Sequence, residues 1–416
     1  MGLSPGPKAG CRFCATPLEE VFADLRVSPL ANSYLREDQL SRMEPHFPLK
    51  AWVCGKCMLV QLEEFESPAG IFSEYAYFSS FSTSWLAHAE QYVRDMLARF
   101  GFGAHSQVIE IASNDGYLLQ YFQQAGVPVL GIEPAANVAK AAVAKGIQSR
   151  TVFFGRESAR ELAKEGIQGD LLIGNNVYAH VPDLHSFTEG LKLALKPEGV
   201  ITLEFPHLMR LMEEAQFDTI YHEHFSYLSL LTVAQVFEHH GLAVFDVEEL
   251  STHGGSLRVF GKHRENNTHT RTPRVEALIA RERGAGLDRL DAYRTFSEKV
   301  KRVKCDLLEF LIQARRQGKT VVGYGAPAKG NTLLNYCGVG SELIPFTVDR
   351  SPHKQGQYLP GTRIPIRGPE AIIEARPDYV LILPWNLKDE ITEQMSAVRE
   401  WGGRFVVAIP SLQVLA

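Results

Sequence analysis

The stretch Val108-Ile-Glu-Ile-Ala-Ser-Asn-Asp-Gly-Tyr117 decides the fold. It reads as a strand that runs into a single-glycine turn and then a helix. Gly116 lets the backbone approach a ligand closely, and the helix N-terminus behind it presents unpaired N–H groups. About twenty residues further on, Val129-Leu-Gly-Ile-Glu133-Pro ends a second strand on a carboxylate. A carboxylate there accepts both hydroxyls of a ribose. A dinucleotide site wants G-x-G-x-x-G after the first strand, to admit a pyrophosphate. Here one glycine stands near two carboxylates, Glu110 and Glu133. They would repel a pyrophosphate but not a sulfonium carrying an amino-acid tail, so the pattern points to S-adenosylmethionine (SAM).

Working outward, apolar runs at 108–112, 129–133, 170–174 and 200–204 alternate with helical patterns. That alternation predicts a parallel, doubly wound sheet. After Pro206 the rhythm breaks, passes through Tyr221-His-Glu-His-Phe225, and returns as β-like runs at 243–247 and 256–262. The polar segment 263–274 reads as a linker, and 275–316 as helical. A second α/β pattern follows, with strands expected at 320–324, 344–348, 379–383 and 405–409. The expected domains are an N-terminal module (1–70), a SAM-binding domain (71–265), and a helical linker with a Rossmann-like domain (266–416).

A chain of 416 residues is too long for one ordinary core. Its 45% hydrophobic and 22% charged residues are those of a globular protein. A net charge of −5 argues against binding nucleic acid through phosphate contacts. The first residues, MGLSPGPKAG, contain no apolar core of a secretory signal, and no run reaches the roughly 18 apolar residues of a membrane helix. A cytoplasmic protein without membrane partners is expected. No amphipathic seam stands out, so a monomer is expected.

Four of the six cysteines form two brackets, Cys11-Arg-Phe-Cys14 and Cys54-Gly-Lys-Cys57. Two such pairs complete a four-thiolate shell suited to Zn²⁺. A redox pair or disulfides are the rival readings, but a redox CxxC usually stands alone after a strand. With every position filled by sulfur, this zinc should fold the N-terminal module and take no part in chemistry.

Near the C-terminus, Val322-Gly-Tyr-Gly325-Ala-Pro-Ala-Lys329-Gly330-Asn331 passes from strand to helix. Helix N–H groups and Lys329 there can meet phosphate oxygens. A bound NAD would make the chain a nucleotide-sugar oxidoreductase. The lysine in that turn, absent from the usual dinucleotide turn, and the SAM site already read in the first sheet argue against it. A zinc scaffold with a degenerate SAM fold is a third possibility, and titration with SAM and NAD⁺ separates all three.

Taken together, the 108–117 and 129–134 stretches and Asn-Asn-Val-Tyr-Ala-His-Val-Pro-Asp (175–183) resemble class I SAM-dependent methyltransferases. More narrowly, the chain is similar to the sugar C-methyltransferases with an N-terminal zinc-binding domain and a C-terminal Rossmann-like domain. The likeness rests on the cysteine brackets, the Tyr75-Ala-Tyr77-Phe-Ser-Ser80 stretch, the block at 221–227, and the block at 323–335. The implied fold class is α/β, with zinc module, class I methyltransferase domain and second Rossmann-like domain in that order. The implied reaction is methylation of C3' of a dTDP-linked 4-keto deoxysugar. The implied SAM contacts are Glu110, Ser113, Gly116, Glu133, Asn175 and, over the adenine, Phe153.

Methylating carbon requires a carbanion equivalent. The carbonyl at C4' acidifies the C3' hydrogen, a base removes it, and donors support the enolate. A base poised near neutrality favours histidine. Tyr221-His222-Glu223-His224 supplies the residue types. If extended, it pairs Tyr221 with Glu223; if helical, it puts Tyr221 beside His224. The resemblance assigns Tyr221, Glu223 and His224 to the site, with His224 as base. His180, after the 170–174 strand, is the rival base or a polariser of the ketone, and Tyr75 and Tyr77 add phenols. Substrate contacts are expected from Tyr77, Ser79, Ser80, Ser82, Lys329 and Asn331.

Overall fold

The computed structural model describes residues 9–67, 70 and 78–415. Tyr75 and Tyr77 lie outside the described residues. Strands β1 (Glu20–Ser28), β2 (Phe47–Val53) and β3 (Val60–Leu62) form an antiparallel meander. Strands β4 (Val108–Ile111), β5 (Val129–Ile132), β6 (Ser149–Arg150), β7 (Gly169–Asn175) and β8 (Leu195–Pro206) follow. Then β9 (Ser226–Tyr227) turns back to pair with β3. The hairpin partners β10 (Leu242–Leu250) and β11 (Ser256–His263) complete the central part of the chain.

The central sheet has the order β10-β11-β8-β7-β4-β5-β6. Only β11 pairs antiparallel, with β8 on one side and β10 on the other. This is the class I methyltransferase arrangement that the resemblance implies. The two β-like runs after Pro206 therefore belong to the same sheet as the strands before it. Val108, Ile109 and Ile111 in β4, and Leu171, Leu172 and Ile173 in β7, are all buried. Parallel strands are covered on both faces, which is why they read as unbroken apolar runs.

A third sheet contains β12 (Val321–Tyr324), β13 (Thr347–Val348), β14 (Ile366–Arg367), β15 (Tyr379–Ile382), β16 (Arg404–Val407) and β17 (Gln413–Leu415). Its order is β14-β13-β12-β15-β16-β17, parallel except for the last pair.

Six helices matter below: α1 (Thr83–Phe100), α2 (Leu184–Ala194), α3 (Leu230–His239), α4 (Pro273–Gly284), α5 (Phe296–Arg316) and α6 (Ala328–Cys337). Ser82 caps α1 by accepting the Trp85 N–H, and Gly101 ends it in the left-handed region. Among the described residues, no helix is long and apolar enough to cross a membrane.

The N-terminal module is a wedge. Its cysteine knuckles pack in one apolar cluster with the central sheet. Phe22, Leu49 and Val60 of its meander pack in another, with α5 and the C-terminal sheet. Packing also divides the expected linker: Val275, Leu278 and Ile279 of α4 join the central cluster, whereas Phe296, Val300 and Leu307 of α5 join the C-terminal one.

Glu282 in α4 shows how tightly these parts are joined. Its buried carboxylate accepts hydrogen bonds from the Leu230 and Leu231 N–H groups, 2.7 and 2.8 Å, at the start of α3. It also pairs with His207 Nε2 at 2.7 Å. Replacing Glu282 with Ala strands these donors inside the protein. The expected loss is about 3–5 kcal/mol of unfolding free energy, measured by denaturant titration, with Glu282→Gln losing less.

Candidate functional site

At the C-terminal end of β4 the chain makes a strained turn. Ala112 and Asn114 have φ of 55° and 49°, and Gly116 has φ of 75°. Left-handed conformations at non-glycine residues are costly and persist only where surrounding bonds impose them. The Ala112 N–H is held by the Ile132 carbonyl at 2.7 Å, and Glu133, at the end of β5, holds the backbone at Asn114. Its carboxylate accepts the Asn114 N–H and the Ala135 N–H, both at 2.9 Å. Each oxygen keeps a further lone pair for a ligand hydroxyl. Burial raises its pKa, against those two backbone donors. Gly116 is required on two counts, since a Cβ there would also meet Ile147 Cγ1 at 2.9 Å.

Several polar groups around this turn are buried without a well-aligned partner among the described residues. They are both carboxylate oxygens of Glu110, Ser113 Oγ, Asp115 Oδ1 and Asn175 Oδ1. Burial pushes the Glu110 carboxyl well above its ordinary value, with the Tyr117 hydroxyl acting against the shift. Orphaned acceptors at the mouth of a parallel sheet fit a ligand rich in donors, as the ammonium and ribose of SAM are. Trp85 on α1 stacks at 6.0 Å on Tyr117 and at 4.9 Å on His88, which forms a wall beside the turn. Phe153, expected over an adenine, is 44% exposed in the loop after β6.

Of the serines expected at a phosphate, Ser79 is engaged through its backbone, and Ser80 and Ser82 through their hydroxyls. Ser79 N–H donates to Asn114 Oδ1 at 2.9 Å, and Ser80 Oγ donates to the Asp115 carboxylate, which also holds Lys145 Nζ at 2.9 Å. Ser82 caps α1. This segment forms the rim of the strained turn. Asn331 is buried, and its amide donates to the Ala31 carbonyl at 2.6 Å, joining α6 to the N-terminal module.

Residues 221–224 form a tight turn, with His224 N–H donating to the Tyr221 carbonyl at 2.9 Å. The Tyr221 and His224 rings lie 4.1 Å apart, and His180 stands edge-on to His224 at 4.6 Å. His222 points the other way, to the Pro48 carbonyl. Of the two pairings open from the sequence, the structure selects Tyr221 with His224. His224 Nδ1 is 2.8 Å from the Thr219 carbonyl, so Nδ1 carries the proton and Nε2 carries the lone pair. Burial holds His224 well below its ordinary value, and His180 adds to the effect; burial lowers His180 itself to about 4. Both imidazoles are neutral at neutral pH.

Glu223 is buried and accepts the Asn32 amide at 2.7 Å. Burial raises its pKa to about 7. Lys329, at the start of α6, donates to Asn386 Oδ1 at 2.8 Å and lies over the Trp385 ring at 4.9 Å. Burial lowers its pKa, opposed by Asp218; its charge in turn depresses His224 and His253. Lys329 thus lies within Coulombic range of His224 and His253, with Asn386 and Trp385 as its direct contacts.

Sequence reasoning missed several neighbours. Asp218, three residues before Tyr221, is fully buried, accepts the Trp385 indole N–H at 2.7 Å, and is raised by burial to about 6. Its nearness in sequence to the 221–224 block was the available signal. His253 sits at φ 55° before two glycines and approaches Asn176 at 3.1 Å. His88 and Arg258 flank the buried Glu204 at 3.0 Å each. Asn32 belongs to the N-terminal module, and nothing local marks it.

The C-terminal glycines do not cradle a dinucleotide. A Cβ on Gly323, Gly325 or Gly330 would meet Thr347, Pro384 or Leu383, so protein already fills those approaches. The Ala326 N–H at this turn is held by Asp349 Oδ2 at 2.8 Å. The oxidoreductase alternative finds no support in this geometry.

The four bracket cysteines bring their sulfurs within 4.8 Å of one another, with Cys11–Cys57 and Cys14–Cys54 at 3.5 and 3.4 Å. Sulfurs around one tetrahedral Zn²⁺ lie about 3.8 Å apart, so the set fits zinc. Gln61 Nε2 and the Lys56 N–H approach the sulfurs of Cys11 and Cys54 as outer donors. From within the first bracket, Arg12 reaches the Pro182 carbonyl at 2.7 Å, the Leu62 carbonyl, and the face of Phe225 at 5.5 Å. It thereby ties the segments that follow His180 and His224 to the knuckle.

Comparison with known proteins agrees with this layout. Family models match as a zinc binding domain over residues 11–72, a methyltransferase domain over 85–247, and a C-methyltransferase C-terminal domain over 251–410. C-methyltransferase NovU of Streptomyces niveus is 37% identical over 406 residues, which is 98% of this chain and 96% of that protein. Among solved structures, the SAM-bound magnesium protoporphyrin IX methyltransferase of Synechocystis PCC 6803 has 16% identity and a TM-score of 0.32. It covers 42% of this chain and 78% of its own. A SAM-dependent methyltransferase from Anabaena variabilis ATCC 29413 has 16% identity and a TM-score of 0.35, over 43% of this chain and 87% of its own.

Three outcomes are expected. Metal analysis should find zinc held by the four cysteines, and Cys54→Ser should destabilise the N-terminal module in thermal unfolding. Glu133→Ala should weaken SAM binding by about 2–4 kcal/mol, the range of charge-assisted hydrogen bonds to a buried carboxylate, in calorimetry on a variant shown to be folded.

Proposed function

Because the chain belongs to the SAM-dependent C-methyltransferases with an N-terminal zinc-binding domain, we propose that its acceptor is C3' of a dTDP-linked 4-keto deoxysugar. The sugar proposed is a 3-amino-2,3,6-trideoxy one, as in antibiotic deoxysugar biosynthesis. The observation that carries this reading is the neutral His224 with its Nδ1–H on the Thr219 carbonyl, set among Tyr221, His180, Glu223 and Lys329. That is the set of groups an enolate-forming reaction needs: an imidazole lone pair to take a proton, and donors and a cation for the oxyanion.

Bound SAM supplies an electrophilic methyl group, and Glu110, Ser113, Glu133 and Asn175 are the residues proposed to hold it. His224 Nε2 takes the C3' proton. The electrons of the C–H bond move to C4' and its oxygen, so the sugar becomes an enolate. His180 and Tyr221 orient the ketone, and Lys329 balances the negative charge gathered on the acceptor. Glu223, protonated up to about pH 7, donates a hydrogen bond that an ionised carboxylate could not. The lowered pKa leaves the His224 lone pair free at physiological pH and makes it a weaker base than an imidazole poised near neutrality, so donors to the enolate oxygen have to acidify the C3' hydrogen.

The test is exchange of the C3' hydrogen in deuterated water, with the keto-sugar nucleotide and without SAM. The wild type should exchange it. His224→Asn should slow exchange by about 10²–10⁴-fold while binding of the sugar nucleotide stays nearly intact. Exchange lost in His180→Asn but retained in His224→Asn would reverse the two roles. Retention in both would move the base to a phenol or a carboxylate.

Glu223 also predicts a pH effect on stability. Unfolded, its carboxyl ionises near its ordinary value of 4.5; folded, it holds its proton to about 7. The unfolded state therefore gives up its proton first, and stability falls as pH rises from about 4.5 to about 7. Glu223→Gln should flatten that part of the curve in thermal melts across this range.

A further inference from the structure

We propose that His185, His239 and His240 form a second metal site, open on one side, for a divalent transition ion such as Zn²⁺. It is separate from the four cysteines and from the residues assigned to SAM and the sugar. His185 lies in the first turn of α2, His239 is the last residue of α3, and His240 caps it. One ring nitrogen from each lies within 4.8 Å of the other two. His185 Nδ1 and His240 Nε2 are already 3.0 Å apart. The ring centroids are 5.1, 5.3 and 5.0 Å from one another. Imidazole nitrogens around one tetrahedral Zn²⁺ lie about 3.3 Å apart, so only the exposed His239 has to swing inward.

The outer contacts are those of a metal-binding histidine. His185 Nε2 is 2.7 Å from the Phe13 carbonyl. That bond places the His185 proton on Nε2, aims the Nδ1 lone pair at His240, and fixes the ring. Phe13 lies between Cys11 and Cys14, and its ring also meets His185 and His239, both at 5.7 Å. An ion here would therefore clip α2 and α3 to the same knuckle that the structural zinc shapes. Of the charged groups nearby, Arg156 repels a cation and Glu189 attracts one. Glu189 is paired with Arg156 at 2.6 Å and with Arg160 at 3.4 Å, so the surroundings offer a cation no net attraction and the imidazole lone pairs must hold it. Three imidazoles without a thiolate favour Zn²⁺, Ni²⁺ and Cu²⁺ over Mg²⁺ or Ca²⁺. With only three protein ligands and an exposed member, the ion should exchange more readily than one enclosed by four sulfurs. The competing arrangement is a plain N–H···N hydrogen bond between His185 and His240, with no ion.

The experiment is calorimetric titration of Zn²⁺ into full-length protein that already carries its cysteine-bound zinc, with bound metal counted after dialysis. A second equivalent per chain is expected, lost to a mild chelator before the first. His185→Ala and His240→Ala should each remove it and leave the first equivalent in place. His239→Ala should weaken it by at least about tenfold. Cu²⁺ bound in its stead should show coupling to imidazole nitrogens by electron paramagnetic resonance. Saturation of the wild type at one equivalent overturns the proposal, and so does a second equivalent that survives these substitutions. If His185→Ala or His240→Ala fails to fold, the exposed His239 decides: unchanged second-site affinity in His239→Ala also overturns it.

Discussion

The strand β9 is only two residues long, and much of the site depends on where it pairs. Tyr227 and Ser226 pair with Val60 and Gln61 of β3, and the Leu62 N–H takes the Phe225 carbonyl at 3.0 Å. The turn that carries Tyr221, Glu223 and His224 is thereby sewn to the sheet of the N-terminal module immediately after its last histidine. On the other side, the chain between β8 and the turn is packed against the C-terminal domain, where Asp218 meets Trp385 and the Ile220 carbonyl meets Thr332. Backbone held at both ends loses its freedom before any ligand arrives, which is how a loop can position catalytic groups.

The same constraint gives the zinc module its bearing on chemistry. A zinc enclosed by four thiolates has no coordination position for a substrate. Its influence passes through the residues between the cysteines. Arg12 holds the Pro182 carbonyl and the Phe225 ring, two residues after His180 and one after His224. Asn32, further along the module, holds Glu223. Burial makes these links strict, because a buried donor or acceptor that loses its partner is left without water to replace it. The pair of neutral histidines is a product of the same enclosure. The environment that removes water also removes the advantage of the imidazolium form.

Much of the fold was legible in the sequence, and for definite reasons. The runs at 108–112, 129–133, 170–174 and 200–204 are strands covered on both faces, and such strands need apolar residues at successive positions. The cysteine brackets were legible because metal ligands are few in kind and spaced by tight turns. Gly116 and Glu133 were legible because one must adopt a left-handed conformation and the other must end a strand. The short strands β6, β9 and β14 were not read as such, since two residues carry no period; β13 falls inside the run expected at 344–348. The serines at 79–82 were expected at a phosphate. In the structure the Ser79 N–H bonds the Asn114 side chain and the Ser80 hydroxyl bonds Asp115, which builds the rim of the turn after β4, and Ser82 caps α1.

The sequence by itself determined the class of fold, the metal-binding brackets, and the kinds of residue available for chemistry. Each follows from local rules: strand and helix periods, turn geometry, ligand spacing. Only the tertiary structure decided which of these residues meet. Asn32 with Glu223, Asp218 with Trp385, and Arg12 with the segments after both histidines are contacts between parts of the chain that share no local pattern. They exist because three sheets bury apolar faces against one another around a single wedge-shaped module. That burial does not depend on sequence order, so no period or spacing could announce it.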